Sequence, residues 1–169
     1  MGMRRWNSSR PYPVAEMIDA QLLTEAFAPA ERLRTFEARL GTEMGAVVTF
    51  TGLARAVGKD GGQLSALFLE HHPTMTEQSL RRIAADGAER FGVPAIDVAH
   101  RCGAIAPGEA IVWVAVASPH RRAAFEAADY LMDRLKTEAM FWKREDGPGG
   151  STWIEPTEAD HRERARWES

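Results

Sequence analysis

The sequence predicts one domain of the α+β class, with a mixed or antiparallel sheet packed against helices. Segments with the apolar patterns of strands are mixed with amphipathic helical segments, without the strict strand–helix alternation of α/β folds. The length of 169 residues suits a single domain. A chain of this size can bury roughly 70% of its unfolded surface, so it needs no disulfide or metal to fold.

In the first half of the chain the helices are the best-defined elements. Leu33, Phe36 and Leu40 recur at helical spacing. Thr74 and Glu77 match the capping box that begins a helix. The predicted elements are a flexible lead-in at 1–13, a weak strand at 14–23, a helix at 28–40, strands at 46–51 and 64–71 around a glycine-rich loop at 58–62, and a helix from about 74 that Gly92 and Pro94 end.

In the second half, strands come before the longest helix. Ile96, Val98 and His100 alternate with other residues, which predicts a strand with one buried face. Ser118 and Pro119 suit the cap and first position of a long helix. The other predicted elements are a turn at 107–108, a strand at 111–117 buried on both faces, a loop at 147–150, a short strand at 153–155, and a charged, solvated segment at 157–169.

Composition excludes several functional classes. The net charge of -3 argues against a general nucleic-acid binder. The single cysteine, Cys102, rules out an intrachain disulfide and a multi-cysteine zinc site, and we expect it to be a small buried residue. Adjacent His71 and His72 would face opposite sides of a strand, so no metal site is expected. Without an apolar run of ~20 residues or a secretory signal, no membrane association and a cytoplasmic location are expected.

Three cations crowd one predicted helix start. His120, Arg121 and Arg122 follow Ser118 and Pro119, at the end where backbone N–H groups are free and the helix dipole is positive. This arrangement predicts an anion site. A solvent-exposed basic turn is the alternative, and the residues alone leave it open.

Two further basic residues are candidates. Lys136 near a helix C-terminus is explained by the helix dipole alone, but beside Phe141 and Trp142 it could also have a lowered pKa and exchange protons. Arg55 follows a strand next to the glycine-rich loop, where binding residues are common and exposed arginines are too. That loop lacks the Gly-Lys-Ser/Thr of a phosphate-binding P-loop.

The predicted helix holds the candidate residues His120 and Lys136 far apart. His120 and Lys136 lie sixteen positions apart, which is ~24 Å along a straight helix. They cannot contact one small ligand from the same helix, so the chain has two sites or one site shared between subunits. We favour the shared site, which implies a homodimer.

Eight short segments are spread over residues 42–155. They are 45–52 with Arg55, 69–71 with Met75, 100–103, 107–109, 118–121, 125–127, 135–137 and 141–145. In their order and spacing these segments resemble the catalytic-subunit family of molybdopterin synthases.

The resemblance implies an α/β-hammerhead fold for a catalytic domain at 14–156 and a sulfurtransferase activity. Such enzymes convert a cyclic pyranopterin monophosphate precursor to molybdopterin by inserting two dithiolene sulfurs. The sulfur arrives on the thiocarboxylated Gly-Gly tail of a small ubiquitin-like subunit, in a heterotetramer built on a homodimer. No resident cofactor or metal is implied.

The resemblance also assigns roles to seven residues. Lys136 would transfer protons or form a transient covalent bond, and Lys143 would support it electrostatically. The other implied residues are Arg55, His120 and Arg121, which would hold the substrate phosphate or the groups next to it, and Arg144 and Glu145, which would line the same pocket.

The chain departs from the family pattern at Met140, where a proline is usual. Its Gly149-Gly150 pair is internal, so it is not the sulfur carrier. Two other functions remain open: an anion-binding module in which Lys136 has no role, and a non-catalytic partner of a ubiquitin-like protein.

Overall fold

A computed structural model describes residues 17–168, and this part of the chain confirms the predicted α+β class. Strands and helices are mixed along the chain without regular alternation. In order, they are β1 (Met17–Leu23), α1 (Pro29–Glu37), β2 (Ala46–Leu53), β3 (Ala66–His71), α2 (Pro73–Phe91), β4 (Ala95–Arg101), β5 (Gly103–Ile105), β6 (Ala110–Ser118), α3 (Arg121–Glu138), β7 (Phe141–Gly147), β8 (Gly150–Ile154) and α4 (Glu158–Ala165).

The first sheet has the strand order β1-β4-β6-β2 and holds the main core. Only β1 and β4 pair in parallel. Helices α2 and α3 pack on one face through residues such as Leu80 and Leu131, and α1 packs on the other face through Phe36. Every residue of β4 is therefore buried, and the expectation of one buried face at Ile96, Val98 and His100 was wrong.

The second sheet has the order β5-β3-β7-β8 and is antiparallel throughout. Its small apolar core includes Leu67 and Leu69, and Phe141 packs against both this core and the main one. Strand β5 was not foreseen, because three residues are too few to show a pattern. Strand β7 was also missed, since its two aromatic residues are followed by four charged ones, with no alternation of apolar and polar residues.

Two helices begin at different residues from those predicted. Helix α2 is capped by His72, whose Nδ1 accepts a hydrogen bond from the N–H of Met75 at 3.3 Å, and the Thr74–Glu77 capping box does not form. The N-cap position of α3 is His120 rather than Ser118, and the His120 side chain makes no capping hydrogen bond. Ser118 still pairs with Ala46 as the last residue of β6, so it cannot begin a helix.

Most of the charged segment at the C-terminal end forms a docked helix that the charge pattern did not predict, although its residues are mostly exposed, as expected. Helix α4 packs against α3. Beyond it, the ring of Trp167 makes edge contacts with Phe91 and Tyr130, and its Nε1–H donates to Asp133 at 2.7 Å. These contacts depend on the fold of distant residues, and the local charge pattern does not show them.

The predicted lead-in at 1–13 lies outside the described residues. In the described part, no helix combines the length and the apolar character needed to cross a membrane.

Candidate active site

A cavity of about 540 Å³ lies where the two sheets meet the C-terminal end of α3. This volume is in the range of small-molecule sites. Apolar side chains from both sheets form much of its wall, and the ends of β2, α3 and β8 supply polar groups. Its lining includes Arg55, Lys59, His100, Lys136, Phe141, Lys143, Glu155, Thr157 and Asp160.

All three lysines of the chain line this one cavity. Lys59 comes from the glycine-rich loop, Lys136 from the last turn of α3 and Lys143 from β7. Arg55 adds a fourth cation, whereas the lining holds only two carboxylates, Glu155 and Asp160. The cavity is thus locally basic in a chain with a net charge of -3, which suits an anionic ligand.

The environment of Lys143 lowers the pKa of its ammonium. Burial lowers the pKa of its ammonium, Glu145 opposes that effect, and the nearby charges of Arg55, Lys59 and Lys136 add to it. The Nζ of Lys143 lies 3.9 Å from Oε1 of Glu145. A partly buried ammonium surrounded by cations releases its proton more readily than a free lysine, so Lys143 can supply charge or a proton to a bound ligand.

Lys136 is confirmed in the last turn of α3, where its charge favours the helix dipole. Its side chain is 59% exposed, and its Nζ donates to Oδ1 of Asp160 at 2.9 Å. Phe141, one of the two aromatic residues expected beside Lys136, lines the same cavity, whereas Trp142 does not. Residues 141 and 143 share one face of β7, because side chains alternate along a strand.

Arg55 lies at the cavity, but His120 and Arg121 do not. They are exposed at the opposite end of α3, and no residue in 17–168 forms an ion pair or side-chain hydrogen bond with Arg121. The separation that the helix length predicts is therefore present. One copy of the chain brings together Arg55, Lys136 and Lys143 and leaves His120 and Arg121 apart.

Arg144 and Glu145 occupy opposite faces of β7. Glu145 is buried on the side of Lys143, and its Oε2 accepts a hydrogen bond from the N–H of Lys59 at 3.4 Å. Arg144 pairs with Asp146 at 2.8 Å on the other face. Adjacent strand residues point to opposite sides, so the structure does not place Arg144 with the lysines.

Met140, the departure from the family pattern, joins α3 to β7. Its N–H donates to Oγ of Ser79 at 3.4 Å, and its carbonyl accepts from Oγ1 of the buried Thr76 at 2.7 Å. A proline would lack the N–H of the first bond. Met140 thus ties the start of β7 to α2, three residues before Lys143.

Sequence reasoning missed several residues of the site, among them Lys59, His100 and Asp160. Lys59 lies in a loop that does not fit the P-loop motif, and Asp160 lies in the segment expected to be solvated. His100 is 8% exposed, and burial lowers its pKa to about 4 although its hydrogen bond to the Arg101 carbonyl opposes this. It therefore enters the cavity wall as a neutral ring.

The residues that line the cavity include no cysteine. Cys102 is 1% exposed and does not line it, and burial raises the pKa of its thiol. This confirms the expected buried cysteine. Among residues 17–168, no cluster of three potential ligands could hold a metal ion. The side chains present can bind an anion and move protons through lysine.

The family described as MoaE protein matches residues 22–138. The molybdopterin synthase catalytic subunit of Caulobacter vibrioides is 52% identical over 126 residues, covering 75% of this chain and 82% of that protein. The subunit of the same name from Pseudomonas aeruginosa is 43% identical over 143 residues, covering 85% and 94%.

Solved structures agree with these matches. Molybdopterin cofactor biosynthesis protein E from Burkholderia multivorans superposes with a TM-score of 0.74 at 35% identity, covering 90% of this chain and 98% of that one. Molybdopterin synthase from Staphylococcus aureus gives a TM-score of 0.72 at 29% identity, covering 80% and 96%.

Proposed function

The chain belongs to the MoaE protein family, and on this premise we propose that it acts as the catalytic, sulfur-transferring subunit of a molybdopterin synthase. Its substrate is a cyclic pyranopterin monophosphate, and its partner is a small ubiquitin-like subunit with a thiocarboxylated Gly-Gly tail. The convergence of all three lysines with Arg55 on one cavity carries this proposal.

The charge balance of the cavity fits this substrate. Four cations face two carboxylates, so a phosphate monoester gains favourable electrostatic interactions on entering. Arg55 is exposed and has no side-chain partner in the described part of the chain. It is free to pair with the phosphate.

The two lysines divide the work in this proposal. Lys136, on an exposed helix end, transfers protons or forms a transient covalent bond to the substrate. Lys143, partly buried among other cations, stabilises negative charge that develops on the pterin.

The sulfur comes from the partner. Cys102 is buried away from the cavity, so the chain offers no thiol of its own there. The thiocarboxylate sulfur of the carrier tail forms a bond to a pterin carbon, a C–O bond of that same carbon breaks, and the leaving oxygen takes a proton from Lys136. Water then cleaves the bond between that sulfur and the acyl carbon, which releases the tail as a carboxylate. Two such transfers complete the dithiolene.

A second copy of the chain would complete the site. Strand β2 is an edge of the first sheet, and its eight residues, from Ala46 to Leu53, carry no charge. Natural edge strands usually carry charges or prolines that prevent pairing with another chain. Exposed Val47 and Phe50 on β2 and exposed Phe125 on α3 add apolar surface beside this edge.

Antiparallel pairing of β2 with the partner's β2 brings the separated cations to the cavity. The start of β2 lies beside His120, because Ala46 pairs with Ser118. The end of β2 leads to Arg55 in the cavity. Eight strand residues span ~27 Å, close to the ~24 Å between His120 and Lys136 along α3. A twofold axis at the middle of β2 would therefore place the partner's His120 and the partner's Arg121 next to this chain's lysines.

A turnover assay tests the function. The purified chain is mixed with a thiocarboxylated small subunit and the pyranopterin precursor, and the dithiolene product is detected. We expect product from the wild type and a loss of at least ~100-fold in Lys136→Ala, with folding retained. Turnover unchanged by this substitution would contradict the proposed role of Lys136.

The same assay separates the two other functions. An anion-binding module would bind the precursor and form no product, and a non-catalytic partner would bind the carrier tail with no effect of added precursor. We place the activity in the cytoplasm, which fractionation of the source cells tests.

A further inference from the structure

The C-terminal helix α4 places a carboxylate on the proposed catalytic lysine. Nζ of Lys136 donates to Oδ1 of Asp160 at 2.9 Å, across 24 positions of sequence. We propose that Asp160 is a positioning residue that holds the Lys136 side chain in the orientation the reaction needs. This inference rests on the proposed function, because it acts through Lys136. Asp160 lies beyond the residues that match the family, 22–138.

The carboxylate of Asp160 is itself held in place. Its Oδ2 accepts hydrogen bonds from the N–H of Thr157 at 2.8 Å and from the Thr157 hydroxyl at 2.7 Å. The N–H of Asp160 donates in return to Oγ1 of Thr157 at 3.2 Å, which completes a capping box at the start of α4. The other oxygen faces Lys136. Burial raises the pKa of Asp160, but the hydrogen bonds from Lys136 and Thr157 outweigh burial and lower it overall. Asp160 is therefore an anion at neutral pH.

Helix α4 is anchored to the helix that carries Lys136. Arg164 donates to Glu138 at 2.8 Å, and Asp133 accepts from both Arg166 and Trp167. The Arg164 contact lies in the last turn of α3 and holds Asp160 close to Lys136, whereas the Asp133 contacts add to the stability of the docked helix. A lysine side chain has four rotatable bonds, and that of Lys136 is 59% exposed, so without Asp160 it would sample many orientations.

The Lys136–Asp160 contact should affect the orientation of the Lys136 side chain more than the stability of the fold. Ion pairs with an exposed partner usually stabilise a fold little. Misorientation of a reacting group, in contrast, can reduce a rate by up to ~100-fold. The effect of removing the carboxylate should therefore appear in kcat.

Steady-state kinetics of the full chain with thiocarboxylated small subunit and precursor test the inference. We expect Asp160→Asn to lower kcat about tenfold or more and to leave KM for the precursor within about twofold. Asp160→Glu, which keeps the carboxylate, should recover most of kcat.

Asp133→Asn is the matched control. It removes a carboxylate from the same α3–α4 contact, away from the cavity, while Arg164–Glu138 and the aromatic contacts of Trp167 remain. It should lower the melting temperature and leave kcat within about twofold.

The outcomes are distinguishable. Wild-type kcat in Asp160→Asn together with loss of turnover in Lys136→Ala would overturn the positioning role and leave the proposed function intact. If Asp160→Asn and Asp133→Asn lose equal amounts of kcat and of melting temperature, Asp160 only helps to dock α4 on α3 and does not position Lys136. Normal turnover in Lys136→Ala would overturn the proposed function and this inference with it.

Discussion

His100 on β4 stacks against Phe141 on β7, with ring centroids 4.2 Å apart and an angle of 23° between the planes. The contact joins the two sheets at the wall of the cavity. Nδ1 of His100 lies 2.9 Å from the Arg101 carbonyl, so a neutral ring donates there and presents its unprotonated Nε2 elsewhere. Protonation would put a charge into this buried contact.

The stability of the protein should therefore depend on His100 in mildly acidic solution. Burial lowers its pKa from 6.5 to about 4 in the folded chain. The stabilising contribution of the neutral ring is complete above the unfolded pKa and is lost as pH falls toward the folded pKa. We expect the free energy of unfolding to fall by on the order of 2 kcal/mol between about pH 7 and about pH 5.

Urea unfolding at the two pH values measures this difference. In His100→Gln the contribution of His100 to the pH dependence should disappear. His161→Gln, at an exposed position, should retain the wild-type dependence. The same pH dependence in His100→Gln as in the wild type would show that other groups cause it.

Glu145→Gln should move the pH dependence of turnover. The Glu145 carboxylate, 3.9 Å from Lys143, raises the pKa that burial lowers. Without that anion the pKa of Lys143 falls further, and the ammonium is lost at a lower pH. If the reaction needs the cation, the alkaline limb of the pH–kcat profile shifts to lower pH.

Asp146→Asn provides the comparison for Glu145→Gln. Asp146 is on the same strand but pairs with Arg144 on the face away from Lys143. The pH–kcat profile of Asp146→Asn should match that of the wild type. An alkaline limb that moves equally in both variants, or in neither, would argue against electrostatic coupling of Glu145 to Lys143.

Mixed dimers test the shared site. Lys136→Ala and Arg121→Ala chains carrying different tags are co-expressed, and the heterodimers are isolated. Each homodimer should be nearly inactive, whereas the heterodimer contains one site with both residues intact and should reach about half of the wild-type activity. A heterodimer as inactive as its parents would mean that Lys136 and Arg121 act within one chain or in separate sites.

A lysine on the uncharged edge strand should prevent dimerisation. In Thr49→Lys, charges meet near the proposed twofold axis at the middle of β2, which disfavours strand pairing. Sedimentation of the isolated chain should show a shift toward the single-chain mass of 18.7 kDa. Thr152→Lys, on the edge strand β8 of the second sheet, should leave the dimer intact. A Thr49→Lys dimer would place the interface elsewhere.

Local patterns in the sequence determined the fold class, most of the helices and strands, and the place of Lys136 in the site. Amphipathic spacing identified α1 and α2, continuous apolar residues identified β6, and the position of Lys136 in the last turn of α3 followed from helix length. These features depend on residues a few positions apart, whose backbone geometry is regular. The separation of His120 from Lys136 followed for the same reason.

Only the tertiary structure decided which side chains meet. Strand pairing extended β6 to Ser118 and moved the start of α3 to Arg121. The alternation of β7 turned Arg144 away from the cavity, and the docking of α4 brought Asp160 to Lys136. These contacts join residues far apart in the chain through register and packing. Short-range sequence patterns do not predict these contacts, because the packing of the whole fold determines which distant side chains meet.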